Sequence, residues 1–147
     1  MDDETETVLR SAGWEPTDRG SSEDLLRWKG EFDGLVFHRA AEAALNKFGG
    51  VKVQIGGPGE AMARQSFELN PSLALGDDDL FYSEGDRLDK PLFPLGEGGG
   101  GQYYLAIADD GFVYALGFEC IDQCGDTIED AIENLVHGRS WHRLFGS

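Results

Sequence analysis

Four residues near the C-terminus carry the side chains of a zinc site or of a thiol nucleophile: Cys120, Cys124, His137 and His142. Structural zinc usually takes two of its thiolates from a tight C-x2-C knuckle. Here three residues separate the cysteines, and the histidines lie beyond a helix-like stretch, so the pattern reads as two apolar cysteines flanking the end of a strand. A cysteine–histidine nucleophilic pair made from the same residues would lack a third group to orient the imidazole. Asp77-Asp78-Asp79 could chelate a cation, but an EF-hand frame begun at Asp77 has Tyr82 where glycine is needed and Leu88 where the bidentate glutamate is needed. The triplet reads instead as a solvated helix start, favoured by the helix dipole.

Two glycine-rich loops invite a phosphate-binding reading. Gly57-Pro58-Gly59 follows a strand-like run but lacks the third glycine of a dinucleotide fingerprint, and the 98–101 glycine run leads into Gln102 and Tyr103 rather than Lys and Ser or Thr. Both sit among acids that would repel phosphate. The chain has no Gly-x-Ser-x-Gly elbow, His-Glu-x-x-His pair or kinase signature. With 28 acidic residues, any two carboxylates could be nominated for glycosidase chemistry, so abundance removes the signal. No catalytic, cofactor-binding or metal residue is assigned, and the chain reads as a non-enzyme without a cofactor.

The elements that would position these groups follow from periodicity. Helices are predicted over about residues 5–12 and 22–29, the second capped by Ser21 or Ser22. A third ends at Phe48, with Ala41, Ala44, Leu45 and Phe48 on one face and Gly49-Gly50 as its stop. The period then shortens to two: Val51, Val53 and Ile55 alternate with polar residues, and residues 66–69 make a second strand. Beyond Asp79 a short helical stretch of one or two turns holds Leu80, Phe81 and Leu88, interrupted at Gly85. Residues 91–95 are extended by their prolines, and residues 103–108 and 112–118 form a hairpin through Asp109-Asp110-Gly111. A last helix runs to Gly138, with Asp126 and Glu129 in a capping-box pattern. Helices first, a strand-rich middle, one final helix and no βαβ alternation predict a single α+β domain. Its core spans about residues 5–138, on a largely antiparallel, mixed sheet of about four to six strands, with residues 139–147 as a tail. Trp14 and Trp28 fall at helix boundaries as core covers, whereas Trp141 is either a lid or an exposed contact.

At 147 residues the chain has room for one core. Leu, Ile, Val and Phe supply 36 of those residues, above the roughly 20 % below which charged chains stay unfolded. The formal charge of −16 argues against nucleic acid or an anionic membrane as a direct partner. The acidic start, Met1 to Glu6, is unlike a signal peptide, no apolar run reaches about 18 residues, and two cysteines make no disulfide framework, which together read as a cytoplasmic protein. Residues 51–138 hold 17 acids against 4 bases, so the strand-rich half carries most of the field. Solubility or salt adaptation accounts for such a surface, and so does a face for a basic protein partner. In the second case Asp77, Asp78, Asp79, Glu84, Asp109 and Asp110 would steer association, and Tyr82 or Tyr103 would anchor it.

Six segments occur in an order that resembles a known family. Ala12-Gly13-Trp14 with Pro16 is followed by Phe48-Gly49-Gly50, Asn70-Pro71, Leu92-Phe93-Pro94-Leu95-Gly96-Glu97, Asp109-Asp110-Gly111 with Val113-Tyr114, and Gly125-Asp126-Thr127-Ile128-Glu129-Asp130-Ala131 before Gly138. Together they look like the third group of the SUKH superfamily, immunity proteins of bacterial polymorphic toxin systems. The likeness covers about residues 8–138, and it departs from the family in placing Arg19 three residues after Pro16, where an arginine two residues on is usual. The resemblance implies a non-enzymatic α+β protein that binds and blocks a cognate toxin domain, often a nuclease or a nucleic-acid deaminase. Related folds in regulatory proteins leave a toxin-free adaptor as the alternative.

Overall fold

The computed structural model describes residues 1–16 and 22–146; the capping read for Ser21 or Ser22, and Arg19, fall outside that range or its described side chains. Three helices come first: α1 (Asp3–Ser11), α2 (Ser22–Glu31) and α3 (Arg39–Phe48). The strands β1 (Lys52–Val53) and β2 (Phe67–Glu68), a 3-10 turn (Pro71–Ala74) and helix α4 (Asp78–Leu88) follow. The chain continues through β3 (Leu92–Gly98), β4 (Tyr103–Ala108), β5 (Val113–Gly117) and β6 (Cys120–Gly125), then α5 (Ile128–His137) and β7 (His142–Phe145). All seven strands lie in chain order in one sheet, and every neighbouring pair is antiparallel. The α+β class and the placing of the helices agree with the sequence reading; the strand count is higher than expected.

The two extra strands are β6, whose first residues read as a strand exit, and β7, which lies within the expected tail. Buried Asp122 in β6 is held by Arg143 of β7 through two hydrogen bonds, 2.8 Å from Nε and 3.1 Å from Nη2. β1 is shorter than the alternation of Val51, Val53 and Ile55 implied. The backbone of Ile55 leaves the ladder for the Ser66 hydroxyl, which accepts from its N–H at 3.0 Å and donates to its carbonyl at 2.7 Å.

α1, α3 and α5 cover one face of the sheet. Lys47 of α3 pairs with Glu129 of α5, and Met1 and Asp2 at the head of α1 reach Glu133 and His137 of α5. His38, at the N-cap of α3, docks this layer: its Nδ1 accepts from the Ala41 N–H at 3.1 Å, so Nε2 carries the proton and donates to the Ile107 carbonyl at 3.0 Å. Phe93 on β3 meets Phe32 and Phe37, and Trp14 stacks on Phe48 at 5.6 Å. Trp14 and Trp28 are both core residues, as expected. Phe32, Phe48, Phe81 and Phe93 are fully buried and each contributes about 1.5–3 kcal/mol of transfer free energy.

Successive side chains of a strand point to opposite faces. Leu105 and Ile107 therefore face the three-helix layer, and Tyr104 and Ala106 face the other way. α4 packs on that second face, its Phe81 ring 5.5 Å from Tyr104. It is a full helix of 11 residues, longer than the one or two turns expected. Gly85 does not interrupt it. A Cβ there would lie 2.7 Å from the Lys90 carbonyl, so the missing side chain lets the helix settle against the start of β3. The cap of α5 also differs by one residue: Thr127 accepts from the Asp130 N–H at 3.1 Å, while Asp126 accepts from Gln123.

Candidate functional site

α4 gathers five of the eight residues read as partner-binding. Asp77 sits at its N-cap position, Asp78 and Asp79 in its first turn, and Tyr82 and Glu84 further along. The inward positions are Phe81 and Gly85, buried against the sheet. Helical spacing then sends Asp79, Tyr82, Ser83 and Asp86 outward, and all four are exposed, Tyr82 to 71 %. Asp78, Asp79, Asp86 and Asp89 have no ion-pair partner among the described residues, while Glu84 is held by Arg87 at 3.2 Å. A row of uncompensated carboxylates around one exposed aromatic ring is thus presented on a rigid element.

Both ends of that element are tied down. Asp77 makes no side-chain cap to its own helix; its carboxylate accepts a hydrogen bond from the Tyr104 hydroxyl. The bond to Asp77, with partial burial, pushes the Tyr104 phenol up to about 12, so it stays a donor at any physiological pH. Just beyond the other end, Lys90 donates to the Tyr114 hydroxyl at 2.7 Å and pairs with Asp110 at 2.6 Å, its Nζ 4.4 Å from the Phe112 ring centre. Burial alone pulls Lys90 down, but the bonds to Asp110 and Tyr114 outweigh it and leave Lys90 above its ordinary value. Asp110 is held below the carboxylate range: burial opposes this, and the Lys90 ion pair with the Phe112 N–H overcomes it. Asp109 and Asp110 therefore stand in the β4–β5 turn, beyond the far end of α4 from Asp77.

Tyr103 is not part of this constellation. Alternation along β4 puts it on the three-helix face, where its hydroxyl donates to Gln65 at 3.1 Å and its ring meets Trp141 edge-on at 5.2 Å. Trp141 is half-buried in that contact. Burial drives the Tyr103 phenol far above its usual range.

The four residues whose types suit zinc or thiol chemistry form no metal-binding group among the described residues. Cys124 is buried, which pushes its thiol strongly up. Cys120 is half-buried, His137 bonds Asp2 at 2.9 Å, and His142 is exposed on β7. Among the described residues no group of three or more His, Cys, Asp or Glu side chains could hold a metal ion.

Sequence reading missed several residues beside α4. Val36, 58 % exposed in the α2–α3 connection, shares an open groove of about 290 Å³ with Tyr82, Asp86 and Asp89. Counting by four and then three from Tyr82 would have found the two aspartates. Val36 carries no such signal, because a loop residue meets the helix only through the tertiary fold.

A family model described as SUKH-3 immunity protein matches residues 1–138. The chain belongs to the SUKH-3 immunity protein family. Membership in an immunity family implies toxin immunity as the function and a cognate toxin as the partner. No curated protein and no solved structure matches the chain. No helix among the described residues of this SUKH-3 protein is long and apolar enough to cross a membrane.

Proposed function

We propose that this SUKH-3 protein acts in the cytoplasm, without catalysis or cofactor, by forming a complex with a basic toxin domain and occluding the surface the toxin needs. The observation that carries this reading is the outward face of α4: Asp79 and Asp86 flank exposed Tyr82, with Asp78 and Asp89 also lacking cationic partners among the described residues. Charge of one sign accelerates encounter with a partner of the other sign and rejects like-charged ones, while a rigid aromatic supplies contact area on docking. Asp77, Asp78, Asp79, Glu84, Asp109 and Asp110 contribute to the steering field, and Tyr82 with Val36 forms the apolar centre. Tyr103 supports the fold from the opposite face. A toxin acting on nucleic acid is the best match, because its active groove must be cationic to hold phosphates, and an acidic protein competes for that same surface.

The test is co-expression with a candidate toxin domain encoded by a neighbouring gene. Rescue of growth together with stoichiometric co-purification supports the proposal. Survival without a complex, or no rescue, favours an adaptor without a toxin partner.

A further inference from the structure

On the other side of α4 lies a second groove, larger in volume than the one beside Val36. It has a volume of about 570 Å³, and paired residues Tyr104 and Leu116 of β4 and β5 line it. Leu80 and Glu84 of α4 stand along one side, Glu97 of β3 lies beside Tyr104, and the β5–β6 turn brings Phe118 and Glu119 to the rim. Phe118 is 89 % exposed, the highest exposure among the large apolar side chains of the described residues, at the tip of a tight turn where Glu119 adopts a positive φ of 58°. Neither Glu97 nor Glu119 has an ion-pair partner among the described residues.

We infer that this groove receives an arginine side chain presented by a loop of the protein partner. Three observations converge on arginine. The groove is concave, with an apolar floor that would take the methylene stem. Two uncompensated carboxylates, Glu97 and Glu119, meet the requirement of a guanidinium for planar, multiply bonded acceptors, and Phe118 offers a ring face for stacking. The molecule also uses this arrangement itself: Arg87, lining the same groove, has its guanidinium carbon 4.3 Å from the centre of the Phe145 ring and its Nη1 3.2 Å from Glu84. That guanidinium is engaged by Glu84 and Phe145, and Glu97, Glu119 and Phe118 are not among its contacts. Lysine, a compact and strongly hydrated charge, gains less from stacking on a ring.

The inference rests on the immunity reading for the identity of the partner, and its test has two arms. In the first, the full-length protein labelled with nitrogen-15 is titrated with a short peptide carrying two arginines separated by glycine, and with the same peptide carrying citrulline. Saturable amide shifts at Leu80, Glu97, Tyr104, Leu116 and Phe118 are expected with arginine, absent with citrulline, and abolished by Glu97→Gln with Glu119→Gln. Shifts spread over all acidic surfaces, equal shifts with citrulline, or no saturable shifts overturn the inference. In the second arm, the neighbouring toxin domain is titrated into wild type and into Phe118→Ser with Glu97→Gln. A loss of affinity of about tenfold or more is expected with an unchanged melting temperature, since both side chains are outside the core. Unchanged affinity removes the groove from the interface and leaves the immunity reading intact. Failure of wild type to bind any toxin overturns the immunity reading, and the peptide arm still decides the groove.

Discussion

Tyr104 and Asp77 show how a single side-chain contact sets where the acidic face stands. The Tyr104 hydroxyl is the one group from the sheet that bonds the Asp77 carboxylate at the head of α4 among the described residues. Tyr104→Phe should cost only about 0.5 kcal/mol, at the low end for a hydrogen bond because the contact is open to water, and is read by chemical denaturation. The phenol is shifted from 10.0 to about 12 on folding, so the folded state holds its proton more tightly than the unfolded chain. That contribution is complete below pH 10.0 and is lost as pH rises toward about 12. The loss of stability over that window should be shallower in Tyr104→Phe. A variant whose alkaline profile overlays wild type would show that the contact does not couple to folding. These residues also mark the limit of legibility at this scale. Tyr103 and Tyr104 are adjacent and chemically alike in sequence, yet strand alternation sends one to Gln65 and the other to Asp77, and only the burial of each face tells them apart.

At the scale of elements, α3 and α4 depend on local features that can be tested separately. His38 caps α3 as a neutral imidazole, and burial holds it below its usual value of 6.5 against the opposing pull of the Ile107 carbonyl and nearby Asp109. Protonation would place a hydrogen on the nitrogen that accepts from Ala41. Below pH 6.5 the unfolded chain therefore binds the proton more readily, and stability should fall as pH drops through that value toward the folded-state one. His38→Asn, which can still cap, should flatten this acid limb in urea titrations at matched pH values; an unchanged limb would exclude His38 as its source. In α4, Gly85→Ala should destabilise by about 1–3 kcal/mol although alanine is the better helix former, because the new Cβ meets the Lys90 carbonyl at 2.7 Å. Ser83→Ala on the exposed side is the control and should be neutral or slightly stabilising; equal effects at both positions would contradict the packing account. The same packing explains what the sequence concealed. Gly85 looks like a helix interruption until β3 is seen against it. β6 did not read as a strand because Asp122 places a charge at a buried position, and its partner Arg143 lies 21 residues away. By contrast α3, α5 and the β4–β5 hairpin were legible, since each satisfies its own period, stop and turn locally.

On the scale of the whole molecule, the charge of −16 leaves many acids for few cations, and most of the described cations are taken up in ion pairs. Arg139 is taken up by Glu60 at 3.0 Å, with Glu133 and Asp2 nearby, and Lys47, Lys90 and Arg143 are each committed to an acid. Among the described residues the aspartates on the outer side of α4 receive no such compensation. Surface charges are screened beyond about 8–10 Å at moderate salt, so the association rate with the toxin domain should fall steeply as ionic strength rises while dissociation changes little. A rate insensitive to salt would remove electrostatic steering and leave only the contact surface. The central claim is that the outward face of α4 is what the toxin recognises. The most direct measurement is the dissociation constant of the neighbouring toxin domain for wild type and for Asp79→Lys, Tyr82→Ala, Asp86→Lys, all exposed positions. A loss of about a hundredfold or more at an unchanged melting temperature is the expected result. Wild-type affinity in that variant would contradict it.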